Sequence, residues 1–203
     1  MVQAILAGRK TQTRRVVKGL ESLKNPYFQS LVQHATGSIT FSSLESNEAI
    51  EPKNPYGKVG DVLWVRETHL VCHDDKFLEG MDSRVVFKAS VHNDWYMALR
   101  EENPHYKWMP SIYMNKVFAR IWLRIKDVRV ERLKSITNQD AMREGIESID
   151  HGAHWKNYMK DEISSYVFPR HSFESLWQSI NGLESWNANP WVWVIEFERI
   201  EKP

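Results

Sequence analysis

The chain has one cysteine, Cys72, in 203 residues. A single thiol excludes an intramolecular disulfide framework and fits a reducing compartment, so a cytoplasmic location is expected. Excess charge is also missing: 27 Lys and Arg face 26 Asp and Glu, for a net of +1. No global field recruits nucleic acid, and any such binding must come from a local patch. Apolar runs fall far short of a membrane span, and the N-terminus lacks the continuous apolar region of a secretory signal, so no membrane partner is expected. There is no glycine-rich phosphate loop, no serine nucleophile elbow and no paired-carboxylate motif. Repeats, low-complexity tracts and heptads are absent too. With no break in composition, the length suits a single domain spanning 1–203, with insertions at about 19–57, 90–110 and 147–170.

Against this background one stretch stands out. Ile5-Leu-Ala-Gly-Arg-Lys10-Thr-Gln-Thr13-Arg-Arg15 places a lysine, two hydroxyls and three arginines just after an expected helix stop. Val2, Ile5 and Leu6 have helical spacing, and Gly8 sits where the left-handed turn after a helix is made. Thr11, Thr13, Val16 and Val17 favour strand, because branching at Cβ suits a pleated surface. Lys10 therefore belongs to the bend between helix and strand.

Further strands are expected at Ser38–Ser42, at Val62–Glu67 (both faces largely apolar, hence central in a sheet), at Arg84–Ala89, at Ala119–Val130 and at Trp191–Ile200. On the fourth of these, Ile121, Leu123 and Ile125 share one face, while Arg120, Trp122, Arg124 and Lys126 make the other basic and aromatic. In the last, Trp191, Trp193, Ile195 and Phe197 alternate with Val192, Val194, Glu196 and Glu198. A surface helix is expected over His92–Glu102. Thr137 and Asp140 read as a helix start whose helix Gly145 ends, placing Glu144 in the last turn. Ser172 reads as the cap of a helix striped by Phe173, Leu176, Trp177 and Ile180 and stopped by Gly182. Strands with a few short capped helices give an α+β class: a small closed or half-closed sheet with helices at its ends.

Taken in order, the Ile5–Thr13 stretch, Gly60-Asp-Val-Leu-Trp-Val-Arg-Glu67, Asp140-Ala-Met-Arg-Glu-Gly-Ile146 and Trp191-Val-Trp-Val-Ile-Glu-Phe197 resemble the ASCH domain family. The chain looks most like its long phage and prophage members, in which Val128–Leu133 and Trp186–Trp191 also find counterparts. The resemblance implies a small PUA-like β-barrel, related to RNA-recognition domains, with flanking short helices and large loop insertions. One branch of the family comprises bacterial N4-acetylcytidine amidohydrolases, which implies an acyl-cytidine amidohydrolase binding a nucleoside or modified nucleobase. The catalytic lysine and threonine of that branch fall on Lys10 and Thr13, and its glutamate on Glu144. Two departures stand beside this. Long relatives carry a first barrel strand before the position of Met1, and Met109–Arg120 has Tyr113, Asn115 and Val117 where His, Pro and Trp are usual.

Hydrolysis of an exocyclic amide needs a nucleophile, a base, charge stabilisation and an acid for the leaving nitrogen. Thr13, Lys10 and Glu144 suit three of these roles. Nearby cations and burial lower a lysine pKa from roughly 10.4, and the negative end of a helix dipole raises that of a carboxyl group. Arg9, Arg14, Trp64, Arg66, Arg120 and Trp122 are candidate substrate contacts. In a regular strand residues three apart diverge, so Lys10 and Thr13 converge only if Lys10 precedes the strand or a bulge intervenes. The plain alternative is that Lys10, Arg14 and Arg15 form an exposed basic edge that limits aggregation. Trp122 with Arg120, Arg124 and Lys126 reads equally as a base-stacking RNA surface or as a tryptophan covered by arginine stems. That leaves a noncatalytic RNA-binding module or weak ribonuclease as an alternative. A second is an accessory protein acting through protein contacts, marked by an exposed apolar patch over the insertions. His69, Cys72, His73, His151 and His154 are too scattered for a zinc site, and neither metal nor cofactor is expected.

Overall fold

A computed structural model describes residues 1–19, 30–33, 39–42, 49–79, 84–159 and 163–203. Helix α1 (Val2–Leu6) leads into strand β1 (Gln12–Val16). Strands β2 (Ser30–Gln33), β3 (Ile39–Ser42) and β4 (Ala49–Ile50) form a separate small sheet. Next come β5 (Val62–Trp64), the antiparallel pair β6 (His69–Val71) and β7 (Val85–Phe87), and helix α2 (Asn93–Glu102). Strand β8 (Trp122–Arg132), helix α3 (Asn138–Arg143) and the short pair β9 (Trp155–Lys156) and β10 (Ser165–Tyr166) follow. Helices α4 (Pro169–Asn181) and α5 (Glu184–Asn187) precede the last strand, β11 (Trp191–Ile200).

The main sheet runs β1-β11-β8-β5, antiparallel throughout, and curls into a half-barrel, so the class is α+β. Its spine is β8 against β11, paired from Trp191 opposite Arg132 to Ile200 opposite Trp122. The register shifts between Glu196 and Phe197, where one extra β8 residue bends the sheet and increases its twist. Helices α3, α4 and α5 cover one face, packing Phe173, Trp177 and Trp186 with Leu133, Ile136, Val192 and Val194. Inside the curl lie Ile5, Ile121, Leu123, Ile125, Trp193, Ile195 and Phe197. Strand β11 is thus buried on both faces from Val192 to Ile195, as a central strand must be.

Several expectations shift. The strand from Val62 stops at Trp64 and sits at the end of the main sheet instead of its centre, with Val62 exposed. Its apolar outer residues are covered by loops and by the β6–β7 unit, which sequence alternation cannot distinguish from a neighbouring strand. Helix α4 begins at Pro169, whose fixed φ suits a first turn. Ser172 lies inside it, and its hydroxyl donates to the Lys156 carbonyl at 2.6 Å. Ser38 lies outside the described residues, and the rest of the expected Ser38–Ser42 strand is β3. At the start of α3 the expected cap is complete: the Thr137 hydroxyl accepts from Asp140 N at 3.0 Å while the Asp140 carboxylate accepts from Thr137 N at 3.4 Å. Among the described residues no helix is long and apolar enough to cross a membrane.

Gly145, just beyond α3, has φ +85°, and a Cβ there would come within 2.7 Å of Lys10 Cβ and 3.0 Å of Ala4 Cβ. Gly152 is also left-handed, at φ +103°, but open around its Cα. Gly145→Ala is expected to destabilise by about 2–4 kcal/mol in urea unfolding, from backbone strain plus overpacking. Gly152→Ala should cost only the strain, about 1–2 kcal/mol. Equal costs would mean that α1 and the Lys10 segment do not press on Gly145.

Candidate functional site

Lys10 lies outside β1. The turn after α1, with Gly8 left-handed, directs its backbone N–H to the Ala4 carbonyl, and the residue forms an isolated antiparallel bridge with Glu144. Thr11 N–H reaches the Arg143 carbonyl at 2.9 Å, so the end of α3 is fastened to the start of β1. The Lys10 ammonium donates to Gln12 O, Glu144 O and Glu144 Oε2, each at 2.8 Å. Both side chains of the pair are only 5% exposed. Three acceptors match the three ammonium protons, which is what a buried lysine charge requires.

Gln12 and Arg14 fall on the same side of β1 as Lys10, following the two-residue period. The Arg14 side chain is fully buried, with NH1 3.2 Å from Glu144 Oε1 and NH2 3.2 Å from Glu131 Oε2 and 3.5 Å from Asp140 Oδ2. The Gln12 amide oxygen, turned toward this guanidinium, also accepts from it. Glu144 therefore holds two cations at once. Arg129 continues the network to Asp127, Glu131 and Glu196.

Thr13 points the other way, and its Oγ1 accepts from Arg15 NH1 at 2.8 Å. The same NH1 donates to the Arg14 carbonyl on the outer edge of β1, fixing the guanidinium beside the hydroxyl. Lys10, Thr13, Arg14, Arg15 and Glu144 all line one cavity of about 490 Å³. Its opposite wall is the Phe173, Leu176 and Trp177 face of α4, with Tyr158 alongside. Because Lys10 precedes the strand, it and Thr13 reach a common space despite opposite directions along β1. Among the described residues two buried donors, Arg14 Nε and Trp177 Nε1, have no hydrogen-bond partner.

Burial pushes the Lys10 ammonium below its ordinary value of 10.5; Glu144 opposes this, and Arg15 and Arg14 add to it. Arg9, exposed at the same cavity, donates from NH1 to the Gly145 and Ile146 carbonyls at 3.2 and 3.3 Å.

Four expected substrate contacts lie elsewhere. Trp122 is 5% exposed, packed with Phe87, Met114 and Ala119, and its Nε1 donates to the Ala119 carbonyl. Arg120 pairs bidentately with the buried Glu67 at 2.7 and 2.9 Å and lies over the Phe87 ring. Arg66 stacks over Trp64. None of the four contributes to the wall of the Lys10 cavity. Strand β7 and the turns before β8 fold onto this face, so the rings expected to be open are covered. The aromatic wall that does face Lys10 was visible in the sequence only as a helical core stripe. That Glu131 and Asp140 pair with Arg14 left no trace in the sequence, because tertiary packing brings them together. Among the described residues no group of His, Cys, Asp and Glu is placed to hold a metal ion.

Glu144→Ala should destabilise by about 3–5 kcal/mol, since it strands the buried Lys10 and Arg14 charges. Adding Lys10→Met should recover part of that loss, as a double-mutant cycle in urea would show. Additive losses would place the two side chains out of contact. Compared with known proteins, the chain matches no family model, no curated protein and no solved structure.

Proposed function

We propose that this is an ASCH-type protein with a PUA-like barrel, whose cavity binds an N4-acylated cytidine and hydrolyses the exocyclic amide. The carrying observation is the meeting of Lys10, Thr13 and Glu144, distant in sequence, at one cavity with an aromatic wall. The volume falls in the range of small-molecule pockets, roughly 300–1,000 Å³. Phe173, Leu176 and Trp177 suit a planar base.

Chemistry follows from the buried pair. The proposed cycle begins with the shared proton moved from Lys10 to Glu144, which gives a neutral amine and a carboxylic acid. Lys10 then takes the Thr13 proton as Oγ1 attacks the acyl carbon, and the negative charge passes to the acyl oxygen. On collapse the C–N bond breaks and Glu144 gives its proton to the departing N4, releasing cytidine. Water attacks the Thr13 ester, losing a proton to Glu144, while Thr13 recovers its own from Lys10 as the carboxylic acid leaves. Atoms and protons balance over the cycle.

The RNA-binding alternative loses its platform: Trp122 is buried, and Arg124 and Lys126 both lie beside Glu198. An accessory role through protein contacts keeps one observation, the exposed apolar side chains of Met109, Ile112, Tyr113 and Val117 within a single segment.

Incubation with N4-acetylcytidine should release cytidine, followed chromatographically. Lys10→Met, Thr13→Ala and Glu144→Gln should each lower kcat by at least about 100-fold. Because the cycle needs the one proton shared by Lys10 and Glu144, kcat/KM should fall as pH rises through a midpoint below 10.5, where that proton is lost. Absence of cytidine from the wild-type protein at every pH would overturn the proposal.

A further inference from the structure

The charges around the cavity do not cancel evenly. Glu144 is held by Lys10 and Arg14, and Arg14 is also held by Glu131 and Asp140. Glu147, the other carboxylate in the wall, pairs with Lys156 at 2.8 Å and feels the Arg9 charge only at longer range. Arg9 and Arg15 remain. Both are exposed, both line the cavity, and neither makes an ion pair among the described residues. Each is nevertheless anchored: Arg9 through NH1 to two carbonyls after α3, Arg15 through NH1 to Thr13 Oγ1 and the Arg14 carbonyl. One nitrogen of each fork fixes its position, and the rest of the guanidinium meets no acceptor among the described residues.

A pre-positioned guanidinium with unspent donors and no direct ion pair is a receptor for a tetrahedral oxyanion, because its planar fork matches two phosphate oxygens. Two such groups lining one cavity, neither in an ion pair among the described residues, add a charge repulsion that an anion would relieve. The opposite wall is apolar and aromatic. A ligand that satisfies both ends is amphiphilic, with a flat base inside and a dianionic phosphate at the rim.

We infer that Arg9 and Arg15 form a phosphate subsite at the cavity mouth, so that the preferred ligand is a nucleoside 5′-monophosphate instead of the free nucleoside. This rests on the cytidine reading of the cavity and adds a second recognition element to it. Its consequence is a strong salt dependence that the nucleoside alone would not show.

Calorimetric titration with cytidine and with cytidine 5′-monophosphate, the product pair that cannot turn over, separates the two claims. The monophosphate should bind about tenfold or more tightly at low ionic strength, as expected of charge-assisted hydrogen bonds. That ratio should shrink with added salt and fall close to one in the Arg9→Gln/Arg15→Gln variant. The ratio is the readout, so a general weakening of the variant does not imitate the effect. Equal affinities in the wild type, or a ratio that survives the double substitution, would overturn the phosphate subsite and leave the cytidine reading standing. If neither compound binds, the base site fails as well.

Discussion

Everything around the cavity depends on burying one lysine beside one glutamate. Lys10 and Glu144 are 134 positions apart, and their ion pair joins the turn before β1 to the end of α3. Removing two charges from water is expensive, so such a pair persists only where every proton and lone pair is otherwise met. Here the Lys10 protons go to a carboxylate and two backbone carbonyls, and the second carboxylate oxygen goes to Arg14. The approach is close enough that the residue after Glu144 has no room for a side chain.

This constraint explains why the site is open where it is. Strand β1 is an edge of the main sheet: Thr11 O and Val17 N face β11, which leaves the Gln12, Arg14 and Val16 backbone on the outer side. Helix α4 stands across from that edge without pairing to it, because a helix offers side chains where a strand would offer backbone. The gap between them is the cavity. Its floor is charged through Lys10, Glu144 and Arg14, and its wall is aromatic.

Much of the local structure was legible in the chain. The Gly8 stop, the Thr137 capping box, the Gly145 terminator and the β-branched run of β11 each express a local preference, and each element formed where that preference pointed. The position of Lys10 before the strand followed from the same signals. What could not be read was which surface covers which. Trp122 alternates with Leu123 like an exposed aromatic, yet β7 and the turns before β8 close over it. Val62–Glu67 has the two apolar faces of a central strand, but only Val62–Trp64 pairs, at the sheet end. The stripe of α4 predicts burial without saying that part of it borders a cavity. Arg14, read as a substrate contact or else as an exposed edge cation, is buried among carboxylates from β8, α3 and the end of α3.

The central claim is a buried Lys10 amine paired with Glu144, poised to lose its proton more readily than a free lysine. Nitrogen-15 NMR of the lysine side chains, with Lys10 assigned by substitution, observes that amine directly. The account predicts a Lys10 Nζ signal with slowly exchanging protons, a titration midpoint below the ordinary 10.5, and a marked shift on Glu144→Gln. A Lys10 signal that exchanges rapidly, titrates at the ordinary value and ignores Glu144→Gln would contradict it.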